Sequence, residues 1–300
     1  MDNYWVSSQY KWIQTQLSKK QQQQASSNQP QTSLQQLDTS DPDAQFSPLE
    51  KQLILMSTIK NLKDIGKKVG GHLRVVSTAM VYFKRFYCQN SISDCDPALL
   101  GAAALLLASK IEECPLNAKN IHQICLGKET PSSQNYDTKD VTTLFPYPLQ
   151  QILECELYLM EQLNFNLTVF HSHTSLMTYV KDAELDKSLY QICWNIVNDS
   201  FYSEVVLKYP PYLVSLTSIY MTSILKNDEE NNINKEKARK WFDQLYVDMK
   251  VIGDITEEIL NMYSILRRIN DTQTEIGRTC SGALEKLQKM RNTFFWGSHN

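Results

Sequence analysis

The sequence is poor in the residues that punctuate sheet-rich chains: its 300 residues include nine glycines and ten prolines. No stretch alternates apolar and polar positions between hairpin turns, so the pattern speaks against a β architecture. Cysteine forms no framework either. Cys88, Cys95, Cys114, Cys125, Cys155, Cys193 and Cys280 are odd in number, scattered, and without a CxxC pair, which fits free thiols in a reducing compartment. Charge of one sign is also lacking. Thirty basic residues against 33 acidic ones leave a net charge of −3, which argues against a general polyanion binder. The longest nearly apolar stretch, Ala98 to Ser109, falls short of the roughly 20 residues that cross a bilayer. The start, Met1-Asp2-Asn3-Tyr4-Trp5, lacks a charged segment followed by an apolar run. A soluble, intracellular protein with no membrane partner is expected.

The signatures of catalysis are missing as well. There is no G-x-S-x-G, no H-E-x-x-H and no Walker sequence, since Gly127-Lys128-Glu129-Thr130 lacks the upstream glycine. His171 and His173 are two apart, cannot form a helical i, i+4 metal pair, and are expected in a loop. No enzyme activity, metal or cofactor is expected.

What is present is helix after helix. Residues 1–17 read as a short N-terminal helix in which Trp5, Trp12, Ile13 and Leu17 share one face. That face, with Tyr10, is expected to dock onto the body of the same protein, which is compatible with binding a partner as well. Residues 18–46 are rich in Gln, Ser, Asn and Pro and read as a disordered linker. Ser47-Pro48-Leu49-Glu50 then supplies an N-cap, a first-turn proline and a capping-box glutamate. Helical patterns follow at 47–68, 73–90, 96–113, 117–127 and 147–164, and again at 173–182, 187–206, 210–227, 234–248 and 252–270. The polar segments 128–143 and 227–237 read as loop insertions.

The two series echo each other. At an offset of 114, Pro97, Leu99 and Leu105 fall on Pro211, Leu213 and Ile219. At an offset of 107, Ile152, Leu153 and Leu159 fall on Ile259, Leu260 and Leu266. Two tandem five-helix bundles, all-α, are therefore expected over 47–166 and 167–270, with 271–300 as a C-terminal extension that matches neither. The halves differ at two ionisable positions. Lys110 in Leu105-Leu106-Leu107-Ala108-Ser109-Lys110-Ile111-Glu112-Glu113 corresponds to Ile224 in the second half, and Glu156 corresponds to Tyr263. Singly, each reads as a lysine snorkelling at a helix end and a glutamate on a solvated face. As a pair confined to one half, they point to binding.

Residues 105–113 resemble the central motif of the cyclin box, and Ile152 to Leu163 its fifth helix. With Ala79 to Tyr87, Tyr4 to Tyr10, Trp194 to Asp199, Tyr209-Pro210-Pro211 and Ala238 to Phe242, the resemblance is to the cyclin C branch of the family, that of the Mediator kinase module. The resemblance implies two cyclin boxes, the first of which (47–166) packs on a cyclin-dependent kinase. It implies that Lys110 and Glu156 hydrogen-bond kinase backbone and that Leu107, Ile111, Met160 and Phe165 contact the kinase's regulatory helix. It further implies Mediator kinase-module subunits as partners, a nuclear location and a role in RNA polymerase II transcription. Trp194, Asn198, Asp199 and Tyr209 fall where this branch has a surface groove between its boxes, although Trp194 reads equally well as core. A general transcription factor with the same two-box fold is the alternative. It draws on Lys60, Lys63, Lys67, Lys68, Arg74, Lys84 and Arg85 against the single acid Asp64 for DNA, but leaves Lys110 and Glu156 unexplained. No direct nucleic-acid contact is expected.

Overall fold

The computed structural model describes residues 4–15, 45–127, 145–225, 229–271 and 273–296, without the side chains of 187, 188, 229–235 and 292–296. The described residues are all-helical, with no strand among them. They fall into two compact units. The linker over 18–44 and the insertion at 128–143 lie outside the described residues.

The first unit comprises 32–167 and 265–300. Its helices are α2 (Pro48–Lys68), α3 (Leu73–Tyr87), α4 (Pro97–Ile111), α5 (Ala118–Cys125), α6 (Leu149–Gln162) and α13 (Glu275–Trp296). The start of α2 follows from local chemistry. The Ser47 hydroxyl accepts from the Glu50 N–H at 3.2 Å, and the Glu50 carboxylate accepts from the Ser47 N–H at 2.8 Å. The chain leaves α2 through Gly70 at φ +78°, a left-handed turn that costs glycine little. Asp96 caps α4 by accepting from the Ala98 N–H at 2.7 Å, and Pro97 takes the first helical position. Apolar on every side, α4 packs against α2, α3, α5 and α6, which is why Leu100 to Ser109 are all buried.

The second unit comprises 1–31 and 168–264. It holds α1 (8–15), α7 (Ser172–Asp182), α8 (Lys187–Ser200), α9 (Val205–Lys208), α10 (Pro211–Leu225), α11 (Glu229–Asp243) and most of α12 (Met249–Ile269). Here α10 is the central helix, in contact with α7, α8, α9 and α11. The proline-led helices paired by the sequence echo thus sit at the centre of their respective bundles.

Several expectations need correction. The N-terminal helix begins at residue 8, because Ser7 caps it by accepting from the Tyr10 N–H at 3.2 Å. Trp5 precedes that cap, so it does not share a helical face with Trp12. Residue 46 does not belong to a linker: Phe46 is buried against Ile54, Ile92, Ala283 and Leu287. Residues 229–237 are helix rather than loop, and α11 ends at Asp243 rather than 248. Its buried residues Ala238 and Phe242 stand one turn apart, with the Phe242 ring 6.1 Å from Tyr220. The helix expected over 187–206 stops at Ser200. The Ser200 hydroxyl donates to the Val197 carbonyl and the Ser203 hydroxyl to the Ser200 carbonyl, and α9 follows as a separate turn.

The extension at 271–300 carries α13. Its apolar positions Ile276, Cys280, Ala283, Leu287 and Met290 recur at four- and three-residue steps, a helical stripe legible in the sequence. That stripe packs on α2.

Candidate partner-binding site

The two ionisable positions that distinguish the first half meet in space. Lys110, in the last turn of α4, lies 2.7 Å from both carboxylate oxygens of Glu156 on α6. The Lys110 side chain is 52% exposed and that of Glu156 5% exposed. The glutamate is therefore not on a solvated face. It is a buried carboxylate whose partner reaches out to solvent, an arrangement that leaves spare N–H donors on Lys110 for acceptors of another chain.

The end of α4 that carries Lys110 is itself fixed. Glu112, at the helix C-cap, accepts from the Thr78 hydroxyl at 2.6 Å and forms an ion pair with Arg74, both from α3. The segment after α6 is gripped in the same way. Arg85, buried on α3, donates to the Asn166 carbonyl at 2.9 Å, and the Tyr82 hydroxyl donates to the Leu167 carbonyl. Burial pushes the Tyr82 phenol well above its ordinary pKa, with Arg85 opposing, so it stays a neutral donor.

That grip sets off Phe165. Its φ is +56° and the residue is 70% exposed. A bulky residue in the left-handed region is uncommon, and such strain clusters at functional positions. Ile111 is also exposed, and Met160 is half-buried. Leu107 is different. At 1% exposure it is packed into the core of the first bundle, on the inward face of α4. Thr78, Tyr82 and Glu112 were not singled out by sequence reasoning, and Arg85 entered it only as part of a basic segment. Polar residues inside an otherwise apolar helix were the available signal for α3.

The basic segment is smaller than its sequence suggests. Arg85 is buried and bonded to a carbonyl, and Arg74 is paired with Glu112.

In the second unit, Trp194 on α8 is half-buried with its ring 4.5 Å from His173. The His173 Nε2 lies 2.7 Å from the side-chain amide oxygen (Oδ1) of Asn198, and the ring stacks on Phe201 at 6.0 Å. Burial holds His173 below the ordinary histidine pKa; Asn198 opposes this and His171 adds to it. His173 therefore lies inside α7 and not in a loop. Asp199 accepts from the Tyr263 hydroxyl at 3.0 Å. Tyr209 is half-buried at the end of α9 beside Lys208, which bridges Glu204 at 2.9 Å and Glu258 at 2.8 Å. Trp194 and Asn198 are thus joined through His173, while Asp199 is engaged by Tyr263 and Tyr209 sits beside the Lys208 ion pairs.

The N-terminal aromatics gather on the same unit. Tyr4 is buried with its ring 5.5 Å from Phe170, and Trp5, 49% exposed, stands 5.9 Å from Tyr212 and 5.2 Å from Tyr10. Gln9 accepts from the Phe170 N–H at 2.6 Å. Trp12 is half-buried. No group of His, Cys, Asp and Glu able to hold a metal occurs among the described residues. Nor is any described helix long and apolar enough to cross a membrane.

Residues 17–168 match the family described as cyclin, N-terminal domain. Cyclin-C of Drosophila melanogaster is 33% identical over 218 residues, covering 72% of this chain and 77% of its own length. Cyclin-C1-1 of Oryza sativa subsp. japonica is 30% identical over 261 residues, covering 87% and 88%. Among solved structures, a chain of the CAK complex from Chaetomium thermophilum bound to ATP-γ-S aligns with TM-score 0.60 at 17% identity, covering 97% of this chain and 94% of that one. The chain belongs to the cyclin family and is similar to cyclin C.

Proposed function

We propose that this cyclin is the activating subunit of a cyclin-dependent serine/threonine kinase and contributes no catalytic group of its own. The observation that carries the reading is the Lys110–Glu156 pair: a buried carboxylate holding a lysine whose outer face is open, beside the exposed Ile111 and the left-handed, exposed Phe165. Apolar contact from Ile111, Phe165 and Met160 supplies area for a kinase helix, and the charged pair fixes its register through hydrogen bonds to backbone. Binding that favours the active placement of that helix over the inactive one raises the active population, and the helix in turn positions the glutamate that pairs with the kinase's own catalytic lysine.

Relatives named cyclin C support a finer reading. In it the partner is the cyclin-dependent kinase of the Mediator kinase module, the other module subunits bind as well, and the complex acts in the nucleus on RNA polymerase II transcription. Trp194, Asn198, Asp199 and Tyr209 are then candidates for contact with a module subunit, and the N-terminal aromatics Trp5, Tyr10 and Trp12 for docking. Affinity purification of the full chain followed by mass spectrometry tests both levels. Recovery of a cyclin-dependent kinase with Mediator subunits is expected. Recovery of a kinase without them overturns the finer reading, and recovery of no kinase overturns both.

A further inference from the structure

All seven cysteines are free thiols, and two of them meet. The Cys95 sulfur lies 3.7 Å from the Cys155 sulfur, although the two residues stand 60 positions apart. We propose that Cys95 and Cys155 form a site of reversible oxidation, closing to an intramolecular disulfide within the first bundle.

A disulfide bond is about 2.05 Å long, so the two sulfurs must approach by about 1.6 Å. One side of the pair can make that move. Cys155 is held in the middle of α6, whereas Cys95 sits at a bend outside any helix, just ahead of the α4 cap Asp96. The bend is kept in place by the Tyr87 hydroxyl, which donates to the Cys95 carbonyl at 2.7 Å. Rotation of the Cys95 side chain swings the sulfur without breaking that bond.

Exposure sets the order of events. Cys95 is partly exposed and Cys155 is buried, so a small disulfide such as oxidised glutathione reaches Cys95 first. The Cys95 thiolate attacks one sulfur of the reagent, whose S–S bond breaks and releases one glutathione thiolate. Cys155 gives up its proton and attacks the Cys95 sulfur of the mixed disulfide, releasing the second glutathione. The two protons end on the two glutathiones. The cysteines lose two electrons, and the reagent is reduced to two thiols. The hydrogen bond to Cys155, together with burial, holds the Cys95 thiol well above its ordinary pKa. Thiolate is therefore scarce at neutral pH, and the exchange is slow there and faster in alkali.

The location ties the site to the rest of the bundle. Cys155 precedes Glu156, which holds Lys110, and Cys95 precedes Asp96, which caps α4. A bond between them fastens α6 to the entry of the central helix. The proposal stands whether or not a kinase binds there.

The test incubates the full chain in glutathione buffers from reduced to oxidised, alkylates the remaining thiols, digests without reductant and reads the peptides by mass spectrometry. A peptide pair joining Cys95 to Cys155 is expected in the oxidised buffers, with the buried Cys125, Cys193 and Cys280 still alkylatable after unfolding. Its formation should be several-fold faster at pH 8.5 than at pH 7. Cys155→Ser should stop at a glutathione adduct on Cys95, and Cys95→Ser should yield neither product. Full alkylation of both residues in the oxidised buffer, with native circular dichroism, overturns the proposal. So does a linkage of Cys95 to Cys88 in place of Cys155.

Discussion

Arg291, near the end of the last helix, meets Asp96 in a two-pronged ion pair whose side chains are 11% and 10% exposed. The same Asp96 carboxylate caps α4. One residue thus starts the central helix of the first bundle and anchors the C-terminal helix against it. Breaking a buried pair from one side leaves a charge without compensation, at a cost of about 3–5 kcal/mol. Arg291→Ala is expected to lower the stability of the first bundle by that order, read as a fall in the urea midpoint. Lys286, 52% exposed on Glu50, is a contrasting control: its loss should cost under about 1 kcal/mol. Equal losses from the two variants would contradict the role assigned to burial.

Lys110→Ala and Glu156→Ala are each expected to weaken binding of the partner kinase by about 2–5 kcal/mol, or roughly 30-fold and upward. The helical circular-dichroism signal should be retained. Leu107→Ala should behave oppositely. Its side chain is buried, so about 2–5 kcal/mol of stability is lost while affinity per folded molecule is kept. Titration of the kinase with each variant, alongside denaturant unfolding, separates the two effects.

Gln9 is buried on the N-terminal helix and engages Phe170 through both ends of its amide, accepting at 2.6 Å and donating at 3.4 Å. Gln9→Ala leaves the Phe170 backbone groups without those partners, at about 1–3 kcal/mol. Hydrogen exchange should accelerate over 8–15 and around Phe170. Unchanged protection in both segments would show that the buried side chains of Tyr4 and Ile13 suffice to hold the helix.

His173 supplies a pH dependence with a definite sign. Its folded-state pKa is lowered, chiefly by burial, while in the unfolded chain it titrates near the ordinary value. The unfolded state therefore takes up a proton first as pH falls. The stability that comes from burying the neutral ring is present above about pH 6.5 and is lost as pH drops through the folded value. Urea midpoints at pH 7.5 and 5.5 should differ for the native chain, and the difference should shrink in His173→Gln. A difference of the same size in that variant would assign the effect to another group.

Local chemistry carried the helix starts that the sequence made plain. Ser47-Pro48 and Asp96-Pro97 are caps followed by first-turn prolines, and each acts within four residues of chain, so reading them needs no knowledge of the fold. The signals that went unread were of the same kind. Ser7 is a capping residue placed two positions after Trp5, and the 276-to-290 stripe of α13 keeps helical spacing; both were available and outweighed by the aromatic spacing and by the polar composition around them. Trp5 was misplaced because a seven-residue interval implies one face only if the helix is unbroken.

The sequence by itself determined that the chain is helical, that two prolines head the central helices, and that Lys110 and Glu156 belong to one half alone. Tertiary structure decided what those residues face. Periodicity tells which side of a helix is apolar, not which neighbour will cover it. Leu107 was therefore lost to the core while Ile111, four residues on, stayed exposed. Contacts such as Lys110 with Glu156, Cys95 with Cys155, and Asp96 with Arg291 span 46, 60 and 195 positions. They exist because packed helices bring those positions together, which no local pattern encodes.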